Sequence, residues 1–440
     1  MTSVVGQSAR LNGLVLATAD VESAGMSTTV ANARRLIRPP ALRTAESATA
    51  SRLELFFDLA YVLVVLELAD AFYADLTLRG TVAFVALFVA LWFSWVGFTL
   101  YANRFDTDDV VFRIAKLAAT LAVAGCAAAA TGVTGEFSTA FAVSFLFGRI
   151  ILLLLLVRAW RHVAEARPTI SVYLGSTALS AMLWAVSLAF GGPARYWVWV
   201  TAVAVDAAGP IVATWRGDRA PLHMEHLPER FALLVILVLG EAVGGASTGV
   251  HDGKWVAPSV AVGVVGFLIA AALWWNYFDI TADDSEERLQ EDDDPNGADQ
   301  AGDDRGAKAD ERHDLFVYGH LPLTLGVVMT GVGLEDLVAH PSDPLPSTGG
   351  WTLASGVALY LIGTAMIVAG TRRSWRAIWP WPSIALPIVA LVTLPRYDAA
   401  LLFVGGLALI CVVLAVAGTL HTDAQPAARD PQGDGEEPLP

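Results

Sequence analysis

Residues 138–159 read STAFAVSFLFGRIILLLLLVRA, a run of 22 residues whose charged members are Arg149, near the middle, and Arg158, near the end. An α-helix of about 20 apolar residues is long enough to cross the ~30 Å hydrocarbon core of a bilayer. A helix also satisfies its own backbone hydrogen bonds, which lipid cannot do. The stretch therefore predicts a membrane-spanning α-helix.

Similar apolar runs recur along the whole chain of 440 residues, of which 55% are hydrophobic and 16% are charged. A soluble domain carries about 25% charged residues. We therefore predict an all-α polytopic membrane protein with about twelve transmembrane helices. The predicted spans cover residues 53–74, 81–102, 111–132, 138–159, 170–190, 195–214, 230–249, 256–278, 315–335, 351–370, 377–394 and 399–420.

The distribution of Lys and Arg indicates the orientation of these spans, because cytoplasmic loops carry an excess of both residues. With twelve spans and a cytoplasmic N-terminus, 23 of the 28 basic residues fall on the cytoplasmic side and four on the other, with Arg149 inside a span. We expect a multi-pass protein of the inner (plasma) membrane with both termini in the cytoplasm and the lipid bilayer as its partner. The net charge of −15 argues against nucleic-acid binding, which needs a basic face. The sequence contains no indication of the oligomeric state.

The two halves of the chain contain similar residues in the same order. Asn103 follows Glu67 after 36 residues, and Asn276 follows Glu241 after 35 residues. The third and ninth spans then open with the similar patterns FRIAKLAATL and FVYGHLPLTL. We interpret this as two six-helix repeats that point the same way across the membrane, as in transporters with parallel repeats. The alternative is a general enrichment of aromatic and acidic residues at helix ends.

This interpretation divides the chain into four segments. Residues 1–50 are predicted to form a disordered cytoplasmic N-terminal segment, 51–216 the first repeat and 217–421 the second repeat. The second repeat includes an acidic cytoplasmic loop at residues 279–314, and residues 422–440 form a disordered cytoplasmic tail rich in Pro, Gly and acidic residues.

Three motifs resemble those of a known family. They are LELFFDL at residues 53–59, RFDTDD at residues 104–109, and the ERF and LGE elements within residues 226–241. In this order they resemble the bacterial low temperature requirement A (LtrA) proteins, and the resemblance extends over about residues 51–420. It implies an integral membrane protein linked to growth in the cold, and it brings no established molecular activity or set of catalytic residues. Ala232 stands where the family often has Gly.

Ionisable residues inside the hydrocarbon region are costly, and they usually face the bundle interior or a watery cavity. Glu67 and Glu241 lie at similar depths on corresponding spans, so we predict that they form a central site for an ion or substrate. Arg149 and Asp206 each lie 11 residues into spans of the same direction, which predicts a direct pair and a second candidate site. The alternative for both pairs is a structural role in fastening the bundle.

A further group of ionisable residues clusters near the predicted cytoplasmic surface. Glu54 and Asp58 are four residues apart and therefore share one helix face. Basic residues from neighbouring loops can pair with them, which predicts either a structural salt-bridge cluster or a cytoplasmic gate. Asp109 also suits a helix N-terminus, where acids are favoured. The predicted members are Glu54, Asp58, Arg104, Asp106, Asp109, Glu229, Arg230 and His320.

These features favour a secondary transporter or a cation or proton pathway linked to growth at low temperature, with a small ion or solute as its partner. The alternative is a non-transporting membrane factor for lipid or envelope adaptation in the cold. The chain contains no G-x-S-x-G, H-E-x-x-H or G-x-x-x-x-G-K-[ST] motif, so we expect no enzyme, no catalytic residue and no cofactor. His223 and His226 have a spacing that can bind a metal, but Pro228 interrupts a helix there, so no metal site is predicted.

Overall fold

The computed structural model of the protein describes residues 37–43, 52–106, 108–216, 227–282, 303–345, 347–371, 380–393 and 400–423. In this part of the chain twelve α-helices follow one another. They are α1 (Arg52–Tyr73), α2 (Leu78–Arg104), α3 (Val110–Ala129), α4 (Ser138–His162), α5 (Arg167–Ser187), α6 (Pro193–Trp215), α7 (Leu227–Asp252), α8 (Ala257–Asn276), α9 (Asp303–Ala339), α10 (Thr348–Thr371), α11 (Pro380–Thr393) and α12 (Ala400–Asp423). A short 3₁₀ turn at Ala130–Gly132 follows α3, and a π-helical turn at Tyr277–Ala282 follows α8.

Ten of the helices in the described residues are long and apolar enough to cross a membrane. They include every helix except α1 and α11. Helix α1 is 22 residues long but carries four carboxylates, and the described part of α11 has 14 residues. The protein is therefore an all-helical, multi-pass membrane protein, and the count of twelve spans stays a prediction.

Ala41 and Leu42, within the N-terminal segment predicted to be disordered, belong to a small two-stranded sheet. Strand β1 (Ala41–Leu42) pairs antiparallel with β2 (Phe105–Asp106), which directly follows α2. The Arg43 N–H also donates to the carbonyl of Arg104 over 3.0 Å. These backbone hydrogen bonds join positions about sixty residues apart, and composition does not reveal such pairing.

Both ends of the acidic segment 279–314 are helical in the described residues. The π-helical turn extends to Ala282, and α9 begins at Asp303, eleven residues before the predicted end of the loop. A run of Asp and Glu near the start of a helix is compatible with the helix dipole. Residues 283–302 lie outside the described part, as do the tail beyond Asp423 and the His223–His226 pair.

The same pairs of helices pack together in α1–α6 and in α7–α12. In each set the first helix packs against the second and third, the third against the fourth, the fourth against the fifth, the fifth against the sixth, and the second against the sixth. The two sets meet where α1 contacts α7 and α9, and where α9 contacts α2 and α6. We refer to the contact of α1, α7 and α9 as the seam.

Glycine allows the backbones of α7, α9 and α10 to approach closely. A Cβ atom on Gly245 of α7 would lie 2.2 Å from the carbonyl oxygen of Gly331 on α9. A Cβ atom on Gly326 of α9 would lie 2.5 Å from the carbonyl oxygen of Gly356 on α10. Real Cβ atoms are not found at such distances, so these positions require glycine, as small residues do at close helix contacts in membranes.

Candidate functional site

The N-terminal halves of α1, α7 and α9 form one end of the seam. This end holds a buried group of four charged residues, which we name the ion network. Its members are Glu54 and Asp58 of α1, Lys116 of α3 and Arg230 of α7. All four side chains are buried. Two carboxylates and two basic groups balance one another, as buried charges in proteins usually do.

Arg230 connects the two carboxylates of α1. Its Nη2 lies 3.2 Å from Oδ1 of Asp58, and its Nη1 lies 3.7 Å from Oε1 of Glu54. The indole Nε1 of Trp95, on α2, donates a hydrogen bond of 2.7 Å to the same Oδ1 of Asp58. Asp58 therefore joins α1, α2 and α7 at one point, which places it and Arg230 at the junction of the two helix sets.

Lys116 completes the ion network without forming a hydrogen bond among the described residues. Its side chain is fully buried, and Nζ lies 3.7 Å from the centroid of the Phe57 ring and 5.3 Å from that of Phe98. An ammonium group over aromatic faces is stabilised by the negative face of each ring. Such a contact replaces only part of the hydration that the ammonium group loses on burial.

His320 of α9 occupies a different environment from the charged cluster in which the sequence placed it. Its Nδ1 lies 2.7 Å from the carbonyl oxygen of Phe316, and its Nε2 lies 3.0 Å from the hydroxyl of Tyr277. Because a carbonyl can only accept, Nδ1 carries the proton, and Nε2 of the neutral ring accepts from the tyrosine. The ring packs 4.5 Å from the ring of Phe231. His320 is thus a hydrogen-bonded residue that packs against Phe231, the neighbour of Arg230 in the sequence.

Three carboxylates meet towards the other end of the seam, and we name them the acidic cluster. They are Asp70 of α1, Glu241 of α7 and Glu335 of α9, whose negative charges act on one another, and the charges of Asp252 and Asp336 also act on Glu335. Glu335 is 8% exposed, and neither it nor Glu241 has a hydrogen bond or ion pair among the described residues. Asp70 is exposed at the end of α1. The cluster therefore presents uncompensated negative charge from both helix sets.

The predicted partner of Glu241 was Glu67, and this pairing stays a prediction. Asp70 and Glu335 are the carboxylates that act on Glu241, and Glu67 is not among them. Glu67 is half-buried on α1, one helical turn before Asp70. Sequence reasoning missed Asp70 and Glu335. The sequence offered one signal, which is their position. Asp70 comes three residues after Glu67, and Glu335 is the last residue of the predicted ninth span.

The structure brings Arg149 and Asp206 together. The guanidinium of Arg149 on α4 donates from Nη2 to Oδ2 of Asp206 on α6, and the hydroxyl of Ser180 on α5 donates to the same oxygen over 2.8 Å. Arg149 and Asp206 are both buried, and Nε of Arg149 has no hydrogen-bond partner among the described residues. Three helices of the first set are therefore joined by one carboxylate.

A small cavity connects this pair with Arg104. Its volume is about 40 Å³, which is room for a few water molecules. Arg104 lies at the end of α2, with its guanidinium carbon 5.0 Å above the ring of Tyr173. The structure therefore places Arg104 in the lining of the cavity beside Arg149. Polar residues in its lining are Tyr101, Arg104, Arg149, Thr169, Tyr173, Ser176, Thr177 and Asp206.

Asp109 caps and fastens the start of α3. Its carboxylate accepts from the backbone N–H of Phe112 over 3.0 Å and from that of Arg38 over 3.1 Å, and its Oδ2 lies 2.6 Å from Nη2 of Arg158. Burial opposes ionisation of this carboxylate, but the hydrogen bonds from Arg158 and from the two backbone N–H groups outweigh it, so the pKa of Asp109 lies below its ordinary value. Asp109 therefore has a structural role at the edge of the bundle.

Two other predicted members of the cytoplasmic cluster are Glu229 and Asp106. Glu229 is exposed in the first turn of α7, next to the buried Arg230. Asp106 contributes its backbone to β2, and its side chain lies outside the described part. Of the predicted cluster, the structure thus joins Glu54, Asp58 and Arg230 directly.

Comparison with known proteins places the chain among its relatives. It matches the family described as bacterial low temperature requirement A protein (LtrA) over residues 49–418. It is 29% identical over 334 residues to an uncharacterised protein of Rhizobium meliloti (strain 1021), which covers 72% of this chain and 77% of that relative. No solved structure matches it. Because the family match extends over most of the chain, the protein belongs to the bacterial low temperature requirement A (LtrA) family.

Proposed function

We propose that this protein conducts or transports a cation or proton across the membrane along the seam. The observation that carries the proposal is the acidic cluster. Asp70, Glu241 and Glu335 come from both helix sets and form no ion pair among the described residues. Carboxylates inside a membrane protein are costly and commonly mark ion pathways or proton relays. Uncompensated negative charge also concentrates cations at the mouth of a pathway.

A narrow apolar region separates the acidic cluster from the ion network. It surrounds a cavity of about 20 Å³, whose lining includes Tyr61, Trp92, Leu234 and Val238. This is room for about one water molecule. In our proposal this region and the ion network hold the pathway closed, and an ion passes only when α1 moves relative to α7 and α9.

The proposed architecture is twelve spans in two parallel repeats around an axis along the membrane normal. The helix pairs that pack within each set support it. Corresponding side chains support it too, because Lys116 lies over Phe57 in the first set and His320 packs against Phe231 in the second. One turn later, two threonine hydroxyls each donate to the carbonyl four residues earlier, at 2.9 Å and 2.7 Å.

The distribution of basic residues supports an inner-membrane protein with both termini in the cytoplasm. In this orientation the ion network lies on the cytoplasmic side and the acidic cluster on the outer side. A cation would therefore first meet the three carboxylates on its way inward. The negative end of the pathway faces the compartment from which cations enter under a normal membrane potential.

The experiment is ion flux into proteoliposomes of the purified full-length protein. Gradients of H⁺, Na⁺ and K⁺ are imposed in turn, and an internal dye reports the ion. We expect flux of one ion, and we expect Glu241→Gln and Glu335→Gln each to abolish it in protein that remains folded. Glu136→Gln is the matched control, because Glu136 is an exposed carboxylate in the α3–α4 loop, outside the seam.

Two further variants decide which α1 carboxylate belongs to the pathway. We expect Asp70→Asn to reduce flux more than Glu67→Gln, since Asp70 is the one that acts on Glu241. The reverse result would restore the pairing of Glu67 with Glu241. Unchanged flux in Glu241→Gln and Glu335→Gln would overturn the proposed pathway.

The hydrogen bonds and ion pairs of Asp58 and Asp109 favour a second candidate function. Asp58 is held by Arg230 and Trp95, and Asp109 is held by Arg158 and two backbone N–H groups, so both carboxylates have the partners of structural groups. A non-transporting membrane factor for lipid or envelope adaptation in the cold would need these groups only as fasteners. Absence of flux for all three ions, in folded protein, would favour this function.

A further inference from the structure

A groove of about 420 Å³ lies between α2 and α6 on the lipid-facing side of the first helix set. This volume is in the range of small-molecule sites in proteins. Helix α2 lines the groove from Arg79 to Ala90, a length of ~16 Å at 1.5 Å per residue. The hydrocarbon core of a bilayer is ~30 Å thick. The groove is therefore about as deep as one leaflet.

The interior of the groove is apolar and narrow. Small residues of α2, such as Ala86 and Ala90, leave space on one side, and Val200 and Val203 of α6 form the other side. The lipid-facing part of the wall is exposed, since Val200 is 47% exposed. An extended hydrocarbon chain that enters from the surrounding leaflet fits both the shape and the chemistry of this interior.

A cation marks the mouth of the groove. Arg79 lies in the first turn of α2, is exposed, and has no ion pair among the described residues. The acidic residue nearest to it in sequence, Asp75, instead accepts a hydrogen bond of 2.7 Å from Thr77. Arg79 is therefore available to an anionic group at the level of the lipid headgroups, where basic residues attract anionic lipids.

A buried polar group without a partner among the described residues borders the groove. Trp184 lines it near the end of α5, is fully buried, and its indole N–H has no hydrogen-bond partner among the described residues. A buried tryptophan N–H usually finds an acceptor. Trp184 lies three residues from the end of its helix, a depth close to that of the ester groups of a phospholipid.

We propose that this groove binds one anionic glycerophospholipid of the surrounding bilayer. One acyl chain lies between α2 and α6, the phosphate lies against Arg79, and an ester carbonyl accepts a hydrogen bond from Trp184. This site is separate from the seam, and the proposal does not depend on ion transport.

The test is lipid binding to the delipidated, detergent-solubilised full-length protein, measured by native mass spectrometry. Phosphatidylglycerol and phosphatidylcholine with the same chains are titrated separately. We expect the first lipid molecule to bind about fivefold more tightly when it is anionic, which corresponds to ~1 kcal/mol for one basic residue near a membrane surface. Arg79→Gln should remove this preference and leave the binding of phosphatidylcholine unchanged.

Filling the groove should remove the first bound lipid whatever its headgroup. Ala86→Trp places an indole in the interior, and Val200→Trp does the same from α6 if the first variant does not fold. Matched controls are Lys254→Gln, which removes an exposed basic residue from the α7–α8 loop, and Val264→Trp, which enlarges an exposed residue of α8 away from the groove. Both controls should bind as the wild type does.

Two results would overturn the proposal. Equal affinity of the wild type for both lipids would remove the role of Arg79. Unchanged binding of the first lipid in a folded groove-filling variant would show that the retained lipid belongs to the general annulus around the protein.

Discussion

Both ends of the seam contain carboxylates. At one end they have basic neighbours, and at the other end they have none among the described residues. At one end Glu54 and Asp58 are buried beside Arg230 and Lys116, so each negative charge has a positive neighbour. At the other end the acidic cluster has three carboxylates and no basic partner among the described residues. Removing one partner of a buried pair is strongly destabilising, whereas unpaired buried charges are costly and are found mainly at functional sites. The comparison distinguishes the ion network, as a structural cluster, from the acidic cluster, as a candidate ion site.

The largest expected effect comes from removing the basic centre of the ion network. Arg230→Met removes the basic group that lies beside both carboxylates and leaves Asp58 and Glu54 buried. We expect a loss of about 3–5 kcal/mol in the free energy of unfolding, as for other broken buried pairs. The measurement is unfolding in mixed micelles by SDS titration, followed by circular dichroism.

The matched control removes one partner of an exposed pair. Arg113 lies 2.9 Å from Asp108, and both side chains are more than half exposed. Arg113→Met should leave the unfolding curve in place. If Arg230→Met proves as stable as Arg113→Met, the ion network does not stabilise the fold. The proposed difference between the two ends of the seam is then wrong.

A smaller effect is expected from the hydrogen bond that Trp95 donates to Asp58. Trp95→Phe keeps an aromatic ring and removes this bond of 2.7 Å. Hydrogen bonds to charged groups contribute about 1.5–3 kcal/mol, and we expect a loss of that size in the same unfolding assay. Trp92→Phe is the control, because Nε1 of Trp92 is buried without a hydrogen-bond partner among the described residues. Equal losses in both variants would assign the effect to ring size alone.

Asp109 extends the comparison to a carboxylate at the edge of the bundle. Its pKa is lowered in the folded state, so its contribution to stability is present above the unfolded pKa of about 3.9 and is lost as the pH falls through the folded value. We expect about 1 kcal/mol less stability at pH 3 than at pH 6 from this residue, the size of a helix cap. Asp109→Asn retains a capping side chain and should remove that part of the pH dependence. An identical pH profile in wild type and variant would contradict the role of the ionised carboxylate.

The smallest expected effect has the opposite sign and tests the acidic cluster. Glu335→Gln removes a negative charge that Asp70, Asp252 and Asp336 repel, and it keeps the shape of the side chain. We expect a gain of up to about 1 kcal/mol in the free energy of unfolding, because like charges at close range destabilise a fold. Glu136→Gln serves again as the control, and destabilisation by Glu335→Gln would indicate that this carboxylate has a stabilising partner.

The positions of the helices could be predicted from the sequence because length and apolar composition determine which segments cross a membrane. The pairing of Arg149 with Asp206 was equally accessible, since equal depth along two helices requires only a count of residues. The shared face of Glu54 and Asp58 follows from the helical period. These features depend on local geometry, which the sequence states directly.

The rotation of each helix around its axis was not accessible in the same way. Glu67 and Asp70 are one turn apart, and the packing of α1 against α7 and α9 decides which of them acts on Glu241. The pairing of Ala41–Leu42 with Phe105–Asp106 depends on contacts between distant parts of the chain. Side-chain partners that come from other helices, such as Trp95 for Asp58, are determined by the tertiary packing and not by one helix.

The glycine contacts of α7, α9 and α10 have a mechanical consequence. Gly245 against Gly331, and Gly326 against Gly356, leave no side chains between the backbones, so these helices cannot slide past one another without collision. They form a stiff block that carries Glu241 and Glu335 at a fixed separation. Helix α1 has no such contact in the described part, and charged side chains join it to that block. We therefore expect α1 to move and the block of α7, α9 and α10 to stay in place when the pathway opens and closes.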